Sequence, residues 1–137
     1  MLKLFHTLLF SVSFIYAQPQ SHTFIINNET RQYYLYTPDS LGPGVPLLFV
    51  LHGYSGSAVS IMNYSNMNQI ADENGFVVCY PQGVIDDMGN AFWNVGYDFH
   101  PNETVDDVEF LSALAHYLQE EYGLSGYNTF STGMSNG

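Results

Sequence analysis

The residues with the clearest chemical potential are the last five, Gly133-Met134-Ser135-Asn136-Gly137, which read G-x-S-x-G. In this pattern a serine occupies a sharp strand-to-helix turn that exposes its hydroxyl. A serine hydroxyl is a poor nucleophile at neutral pH, so it needs a histidine base that a carboxylate orients. We therefore predict that Ser135 is a catalytic nucleophile. A plain turn is the alternative, because Gly, Ser and Asn are common turn residues.

The same motif predicts which backbone groups would stabilise a developing oxyanion. One donor is expected to be the N–H of the residue after the nucleophile, Asn136. The second is expected from the loop after an earlier apolar strand, where the chain reads His52-Gly53-Tyr54, and we assign it to the N–H of Tyr54. In chain order the catalytic acid and base follow the serine. We therefore interpret His52 as a histidine that bonds the loop backbone rather than as the base.

A pair of acidic residues precedes the motif and has a simpler structural interpretation. Thr104-Val105-Asp106-Asp107 resembles a capping box, with Thr104 as the N-cap and Asp107 three residues later. Because this pair precedes Ser135, helix capping and dipole stabilisation are favoured over a role as the triad acid.

The remaining reactive side chains do not form a metal site by their spacing. Asp86 and Asp87 lack the full ligand spacing of a calcium loop, so a solvated turn is favoured. His100 and His116 lack the H-x-x-x-H spacing of zinc ligands. Cys79 is the only cysteine and lies in an apolar run, which predicts a core residue. No metal ion or organic cofactor is predicted.

Apolar periodicity predicts the elements that would position these residues. The expected elements are a hairpin over 22–36 with its turn at 27–30, a strand at 47–51, a helix at 58–74 ended by Gly75, a strand at 76–80, an irregular stretch at 82–103, a helix from 104 to 122 ended by Gly123, and a buried strand at about 127–132. The expected helix stripes are Ile61, Tyr64, Met67, Ile70 and Ala71, then Val108, Leu111, Ala115, Leu118 and Tyr122. Apolar strands that alternate with helices predict one α/β domain with a mostly parallel sheet covered on both faces.

The N-terminus and the charge limit the class of protein. Residues 1–17 combine Lys3, an apolar run and Ala17, which is typical of a secretory signal peptide; a short membrane anchor is the alternative. Residues 18–137 then carry 13 acidic side chains against the single cation Arg31, a net charge of −12. Binding to a phosphate backbone or an anionic membrane needs clustered Lys and Arg. We therefore expect a secreted protein that binds neither nucleic acid nor, after signal cleavage, a membrane.

Several segments together resemble a known group. The chain is similar to the secreted poly(3-hydroxybutyrate) depolymerase and feruloyl/acetylxylan esterase group, which includes carbohydrate esterase family 1. The matching segments are 31–38 (RQYYLYTP), 46–53 (PLLFVLHG), 70–83 (IADENGFVVCYPQG), 93–94 (WN), 105–111 (VDDVEFL) and 132–137 (TGMSNG). The resemblance implies an α/β-hydrolase fold, secretion, hydrolysis of carboxylic esters, Ser135 as nucleophile and a structural Asp-Asp pair. Many members have a cysteine where this chain has Tyr54, so a disulfide is not expected there.

The functional hypothesis is a secreted serine esterase that acts on a polymer. The expected substrates are feruloyl or acetyl esters of a polysaccharide, or a polyhydroxyalkanoate, and the reaction passes through an acyl-enzyme on Ser135. A serine peptidase of the same fold and a non-catalytic carbohydrate-binding protein are the alternatives. Since the triad acid and base are expected after the serine, we interpret 18–137 as the N-terminal part of a domain truncated after the nucleophile elbow. We expect that piece alone to fold poorly and to be inactive.

Overall fold

The computed structural model describes residues 17–39 and 41–137, so the expected signal peptide lies outside the described residues except for Ala17. The elements in these ranges are β1 Gln20–Ile26, β2 Glu29–Tyr36, β3 Leu47–Leu51, α1 Ala58–Ser65, α2 Met67–Asn74, β4 Val77–Pro81, β5 Val84–Ile85, β6 Ala91–Phe92, α3 Asp107–Tyr122 and β7 Thr129–Gly133. Within the same ranges, none of the helices has the length and apolarity that a membrane crossing requires.

Five strands form one sheet in the order β1-β2-β4-β3-β7. Strand β3 pairs in parallel with both β4 and β7, whereas β1–β2 and β2–β4 are antiparallel. The register places Leu51 opposite Gly133, so β3 and β7 end side by side. The loops that follow these two strands therefore meet at one edge of the sheet, which is where open α/β sheets bind their ligands.

The predicted hairpin is confirmed, but its turn is shorter than the expected 27–30, because Glu29 and Thr30 already pair within β2. Asn27 and Asn28 both have positive φ, 51° and 65°, as a two-residue type I′ turn requires. Asparagine tolerates this left-handed conformation better than most residues do.

The sheet has a hydrophobic core on each face, as predicted. Alternate side chains of the central strands point to opposite faces. One core packs on α3 and contains Tyr33, Leu35, Leu47, Phe49, Val77, Cys79, Trp93, Phe110, Leu114 and Leu118. The other packs on α1 and α2 and contains Tyr36, Val50, Ala58, Ile61, Ala71, Val78 and Tyr80. The interpretation of Cys79 as a core residue is confirmed, since its side chain is buried as a free thiol.

The single helix expected over 58–74 is wrong, because the chain forms two helices. Asn66 has a left-handed conformation with φ 54°, which ends α1 and begins α2. A break of this kind changes the direction of the apolar stripe, so Tyr64 is exposed rather than packed. The expected end of α2 at Gly75 is confirmed, with φ 73°.

The predicted N-cap of the second long helix is also wrong. Asp106 is the N-cap of α3, and its carboxylate accepts a hydrogen bond from the Glu109 N–H at 2.8 Å. The helix therefore begins two residues after the start that Thr104 would give. The buried face also differs from the predicted stripe, since Val108 is 73% exposed. The residues of α3 that fill the core are Phe110, Leu114 and Leu118.

Strand β7 lies at the edge of the described sheet. It begins at Thr129 and pairs with β3, and no other described strand pairs with it. Apolar side chains are exposed at this edge: Phe130 is exposed and Tyr127, just before the strand, is 99% exposed. The expectation that this strand is buried is wrong for the described residues.

The stretch expected to be irregular contains a short hairpin, β5–β6. Its strands have two residues each, too few to give a periodic signal in the sequence. Gly83 precedes the hairpin at a point of close backbone contact, where a Cβ would lie 2.2 Å from the Phe92 carbonyl oxygen. A side chain at this position would push the hairpin away from the sheet.

Candidate active site

Ser135 lies at the tip of a tight turn after β7. Its φ of 56° is in the left-handed region that non-glycine residues rarely occupy. The turn is anchored by two backbone hydrogen bonds, from the Met134 N–H to the Leu51 carbonyl at 3.2 Å and from the Gly137 N–H to the Met134 carbonyl at 3.0 Å. Ser135 itself is exposed. Unfavourable backbone conformations of this kind are concentrated at functional sites.

The two glycines of the motif are required by crowding, as predicted. A Cβ on Gly133 would lie 2.6 Å from the carbonyl carbon of Gly137. A Cβ on Gly137 would lie 2.6 Å from the Leu51 oxygen and 2.7 Å from the His52 oxygen. The turn can therefore fold back on the end of β3 only if both positions lack a side chain.

The loop after β3 lies directly against this turn. A Cβ on Gly53 would lie 3.4 Å from the Cβ of Ser135 and 3.1 Å from the Met134 oxygen. Tyr54 follows Gly53, and Asn136 follows Ser135. Among the residues that the structure describes, no acceptor is hydrogen-bonded to the backbone N–H of Tyr54 or of Asn136. In the part of the chain that the structure describes, both N–H groups therefore lack an internal acceptor.

The side chain of Asn136 has a second role that the sequence did not reveal. It is buried, its Oδ1 accepts from the Trp93 N–H at 2.7 Å, and its Nδ2 donates to the Trp93 carbonyl at 3.0 Å. The amide thus pairs with the backbone of Trp93 as a neighbouring strand would. This pair of bonds fixes Asn136, the residue after Ser135.

Both ring nitrogens of His52 are hydrogen-bonded to backbone groups. Its Nδ1 donates to the Gly53 carbonyl at 2.8 Å, and its Nε2 accepts from the Gly83 N–H at 2.9 Å. The Trp93 indole N–H donates to the His52 carbonyl at 2.8 Å. Burial lowers the pKa of His52, which favours the neutral ring that this bonding needs. The interpretation of His52 as a loop-bonding histidine is confirmed by these contacts.

Asp107 is a buried ion-pair partner rather than a capping residue. Its Oδ1 accepts from the Arg31 guanidinium at 2.6 Å, and its Oδ2 accepts from the Asn94 N–H at 2.7 Å. The guanidinium also lies 3.9 Å from the centroid of the Phe110 ring. Because Asn94 follows Trp93, this ion pair supports the segment that holds Asn136. The predicted capping role belongs to Asp106.

Asp86 is also buried, so the solvated turn expected for it is wrong. Its Oδ1 accepts from the N–H groups of Met88 at 3.0 Å and Asn90 at 2.8 Å. Its Oδ2 accepts from the Tyr54 hydroxyl at 2.7 Å and pairs with His100 Nε2 at 3.0 Å. Burial alone would raise the pKa of Asp86, but these hydrogen bonds outweigh burial and lower it to about 2. Asp86 is therefore ionised at neutral pH.

The described histidines are not hydrogen-bonded to Ser135. His100 uses Nε2 to contact Asp86, and its Nδ1 is buried without a partner among the described residues. Its ring packs on Phe92 and Phe99, with centroid distances of 4.4 Å and 4.3 Å. His116 is exposed on α3. Among the described residues, no histidine is therefore hydrogen-bonded to Ser135.

A surface groove of about 620 Å³ lies along the segment after β6. Its lining includes Asp98, Glu103, Asp106 and Asp107, and it does not include Ser135. The groove is therefore acidic and is separate from the turn that carries Ser135.

Comparison with known proteins identifies esterases as relatives. No family model matches the sequence. The chain is 27% identical over 107 residues to a bifunctional acetylxylan esterase/xylanase of Neocallimastix patriciarum, covering 78% of this chain and 14% of that protein. It is 26% identical over 122 residues to feruloyl esterase B of Thermothelomyces thermophilus, covering 88% and 41%. The chain thus spans less than half the length of these curated relatives.

Solved structures share the fold at lower identity. An acetyl xylan esterase from Aspergillus awamori superposes with a TM-score of 0.64 at 17% identity, covering 83% of this chain and 42% of that one. A fluorophosphonate-binding serine hydrolase of Staphylococcus aureus gives a TM-score of 0.64 at 17% identity, covering 85% and 47%. The chain has an α/β-hydrolase fold, and the resemblance to the feruloyl and acetylxylan esterases is confirmed.

Proposed function

We propose that this protein is a carboxylic ester hydrolase in which Ser135 is the nucleophile. The observation that carries the proposal is the exposed Ser135, on a left-handed turn, beside the N–H groups of Tyr54 and Asn136 that have no described acceptor. Backbone donors that are already oriented where charge develops are usually the largest single contribution to acyl-transfer catalysis. The esterase relatives support the same reaction class.

In the proposed reaction, the Ser135 Oγ attacks the ester carbonyl carbon while a histidine accepts the hydroxyl proton. The carbonyl oxygen becomes an oxyanion, which accepts hydrogen bonds from the Tyr54 and Asn136 N–H groups. Collapse of the tetrahedral intermediate breaks the ester C–O bond, and the alcohol leaves with the proton from the histidine. Water then hydrolyses the acyl-enzyme, which releases the acid and regenerates Ser135. This reaction requires a histidine and an orienting carboxylate that the described residues do not present to Ser135.

We further propose a secreted enzyme that acts on a polymer. The names of the relatives support acetyl or feruloyl esters of a polysaccharide as substrates, and a polyhydroxyalkanoate is retained from the sequence resemblance. Residues 1–17 are proposed as a signal peptide and residues 18–137 as the N-terminal part of the catalytic domain. The partial coverage of the relatives supports this division. The net charge of −12 for residues 18–137 disfavours nucleic acid and anionic membranes as partners.

Turnover of p-nitrophenyl acetate tests the proposal in the natural protein at full length and in two serine variants of it, since the piece 18–137 alone is expected to be inactive. Ser135→Ala should reduce turnover to background, since it removes the nucleophile. Ser131→Ala is the matched control, because Ser131 is also exposed and lies in β7, four residues earlier. Its activity should stay within about twofold of the wild type, as expected for a surface substitution. Turnover in Ser135→Ala equal to that in Ser131→Ala would refute the proposal.

A paired assay separates the esterase from the two alternatives. The motif serves amide hydrolysis as well as ester hydrolysis. The esterase proposal predicts that p-nitrophenyl acetate is cleaved and that the matching acetanilide is not. Faster cleavage of the anilide would support a peptidase. Binding to insoluble xylan without any ester turnover would support a carbohydrate-binding protein.

A further inference from the structure

The hairpin β5–β6 and Trp93, the residue after it, contact the two segments that hold the proposed oxyanion donors. On one side, the Ser55 N–H donates to the Ala91 carbonyl at 2.8 Å, which docks the loop that contains Tyr54. On the other side, Trp93, immediately after β6, makes both hydrogen bonds to the Asn136 side chain. One element therefore sets the position of Tyr54 relative to Asn136.

Asp86 links this hairpin to the side chain of Tyr54. The two carboxylate oxygens divide their contacts: Oδ1 closes the β5–β6 turn, and Oδ2 accepts from the Tyr54 hydroxyl, 32 residues earlier in the chain. The Asn90 side-chain amide also donates to the Tyr54 hydroxyl, at 3.1 Å. Burying a carboxylate is costly unless its oxygens are bonded. Closing the local turn uses Oδ1 alone. Oδ2 instead contacts the Tyr54 hydroxyl and His100, so these longer-range contacts need a separate explanation.

We propose that Asp86 is a positioning residue, which fixes the backbone N–H of Tyr54 through the Tyr54 hydroxyl. This inference rests on the proposed function. The Tyr54 side chain connects the hairpin to the site. Its hydroxyl is held by the hairpin, and the backbone N–H of the same residue is the proposed donor. A donor displaced by a fraction of an ångström from the oxyanion loses much of its effect on rate, because stabilisation depends on this geometry.

The chain offers a matched control for the tyrosine–aspartate contact. Tyr36 donates its hydroxyl to both oxygens of Asp72 on α2, at 2.7 Å and 2.8 Å. This contact has the same chemistry as the bond between Tyr54 and Asp86, but it belongs to the core that packs on α1 and α2. Tyr36→Phe and Tyr54→Phe therefore remove the same kind of bond, and only Tyr54→Phe frees a loop beside Ser135.

The test compares kcat and KM for p-nitrophenyl acetate in the natural protein and these variants. Tyr54→Phe should lower kcat by about tenfold with KM within about twofold, less than the 10²–10³ expected for complete loss of a donor. Tyr36→Phe should leave kcat within about twofold of the wild type. Asp86→Asn is measured alone and combined with Tyr54→Phe; the double variant should lose no more kcat than the larger single effect, because the two residues act on the Tyr54 backbone through their shared contact.

Inhibition by phenylboronic acid supplies a second measurement, because it forms a tetrahedral adduct with a reactive serine. Its affinity should fall in Tyr54→Phe by about the same factor as kcat, and thermal unfolding should show that each variant is folded. Equal kcat values in Tyr54→Phe and Tyr36→Phe would overturn the inference alone. An absence of Ser135-dependent turnover in the wild type would overturn the proposed function and this inference together.

Discussion

Two buried aspartates support the turn that carries Ser135, and they do so with different partners. Asp107 pairs with Arg31, a permanent cation, and joins α3 to β2 and to the backbone of Asn94. Asp86 accepts from a tyrosine hydroxyl and two backbone N–H groups, and it pairs with His100. The Asp107 network thus connects the main elements of the fold, whereas the Asp86 network connects loops beside the candidate site.

The difference indicates how stability and function are divided between the two networks. A charge that is buried against a single opposite charge becomes very unfavourable when its partner is removed. A carboxylate held by several neutral donors distributes its stabilisation over many contacts, so loss of one donor costs less. We therefore expect substitutions at Asp107 to act mainly on folding and changes at the Tyr54 contact of Asp86 to act mainly on rate.

The largest expected effect is on stability and concerns Asp107. Asp107→Ala leaves the Arg31 charge buried without its partner, which should lower the free energy of unfolding by about 3–5 kcal/mol. The neighbouring Asp106→Ala removes only an exposed N-cap and should cost about 1 kcal/mol. Urea unfolding of both variants measures the difference. Equal losses would mean that the pair of Asp107 with Arg31 stabilises the fold no more than an N-cap does. That result would contradict the division of stability and rate between the two networks.

The next effect concerns Asn136, where the segment supported by Asp107 meets the turn that carries Ser135. Asn136→Ala leaves the buried N–H and carbonyl of Trp93 unpaired, which should cost about 1–3 kcal/mol of stability. It should also lower kcat for p-nitrophenyl acetate. Asn74→Ala, at an exposed position on α2, is the control and should stay within about 0.5 kcal/mol. A kcat for Asn136→Ala equal to that of Asn74→Ala would argue that the bonds between the Asn136 side chain and Trp93 do not position the proposed N–H donor of Asn136.

The smallest effect is the pH dependence that Asp86 contributes. Its pKa is lowered from 3.8 to about 2 in the folded protein, so its contribution to stability is complete above about pH 4 and is lost as the pH falls towards 2. Asp86→Asn removes this contribution. The thermal midpoint of the variant should therefore fall less steeply than that of the wild type between pH 4 and pH 2. Parallel curves would contradict the assignment of Asp86 as an ionised, hydrogen-bonded carboxylate.

Local patterns in the sequence were sufficient for the central strands and for the glycines of the motif. Apolar runs such as 47–51 identified the central strands, and Gly75 and Gly123 marked two helix ends, because these features depend on neighbouring residues. The division of 58–74 at Asn66 was missed, since the spacing of apolar residues in the sequence continues across Asn66 although the helix axis does not. The N-cap was misplaced because Thr104 and Asp106 both have capping side chains and the sequence does not show which one begins the helix.

The support of the site could not be predicted, since it depends on contacts between distant residues. Asp107 meets Arg31 across 76 positions, Trp93 meets Asn136 across 43, and Asp86 meets Tyr54 across 32. A short polar residue such as Asp86 is equally compatible with a solvated turn and with a buried network, and only the tertiary structure distinguishes them. Burial of the single described cation, Arg31, also had no local signal.

Covalent labelling tests the central claim, that Ser135 is a nucleophile served by two backbone donors, most directly. The natural protein is treated with a fluorophosphonate, and the modified peptide is identified by mass spectrometry. The account predicts one phosphonylated residue, Ser135, with labelling abolished in Ser135→Ala and retained in Ser131→Ala. Labelling at another residue, or an unmodified wild-type protein that is shown to be folded, would contradict it.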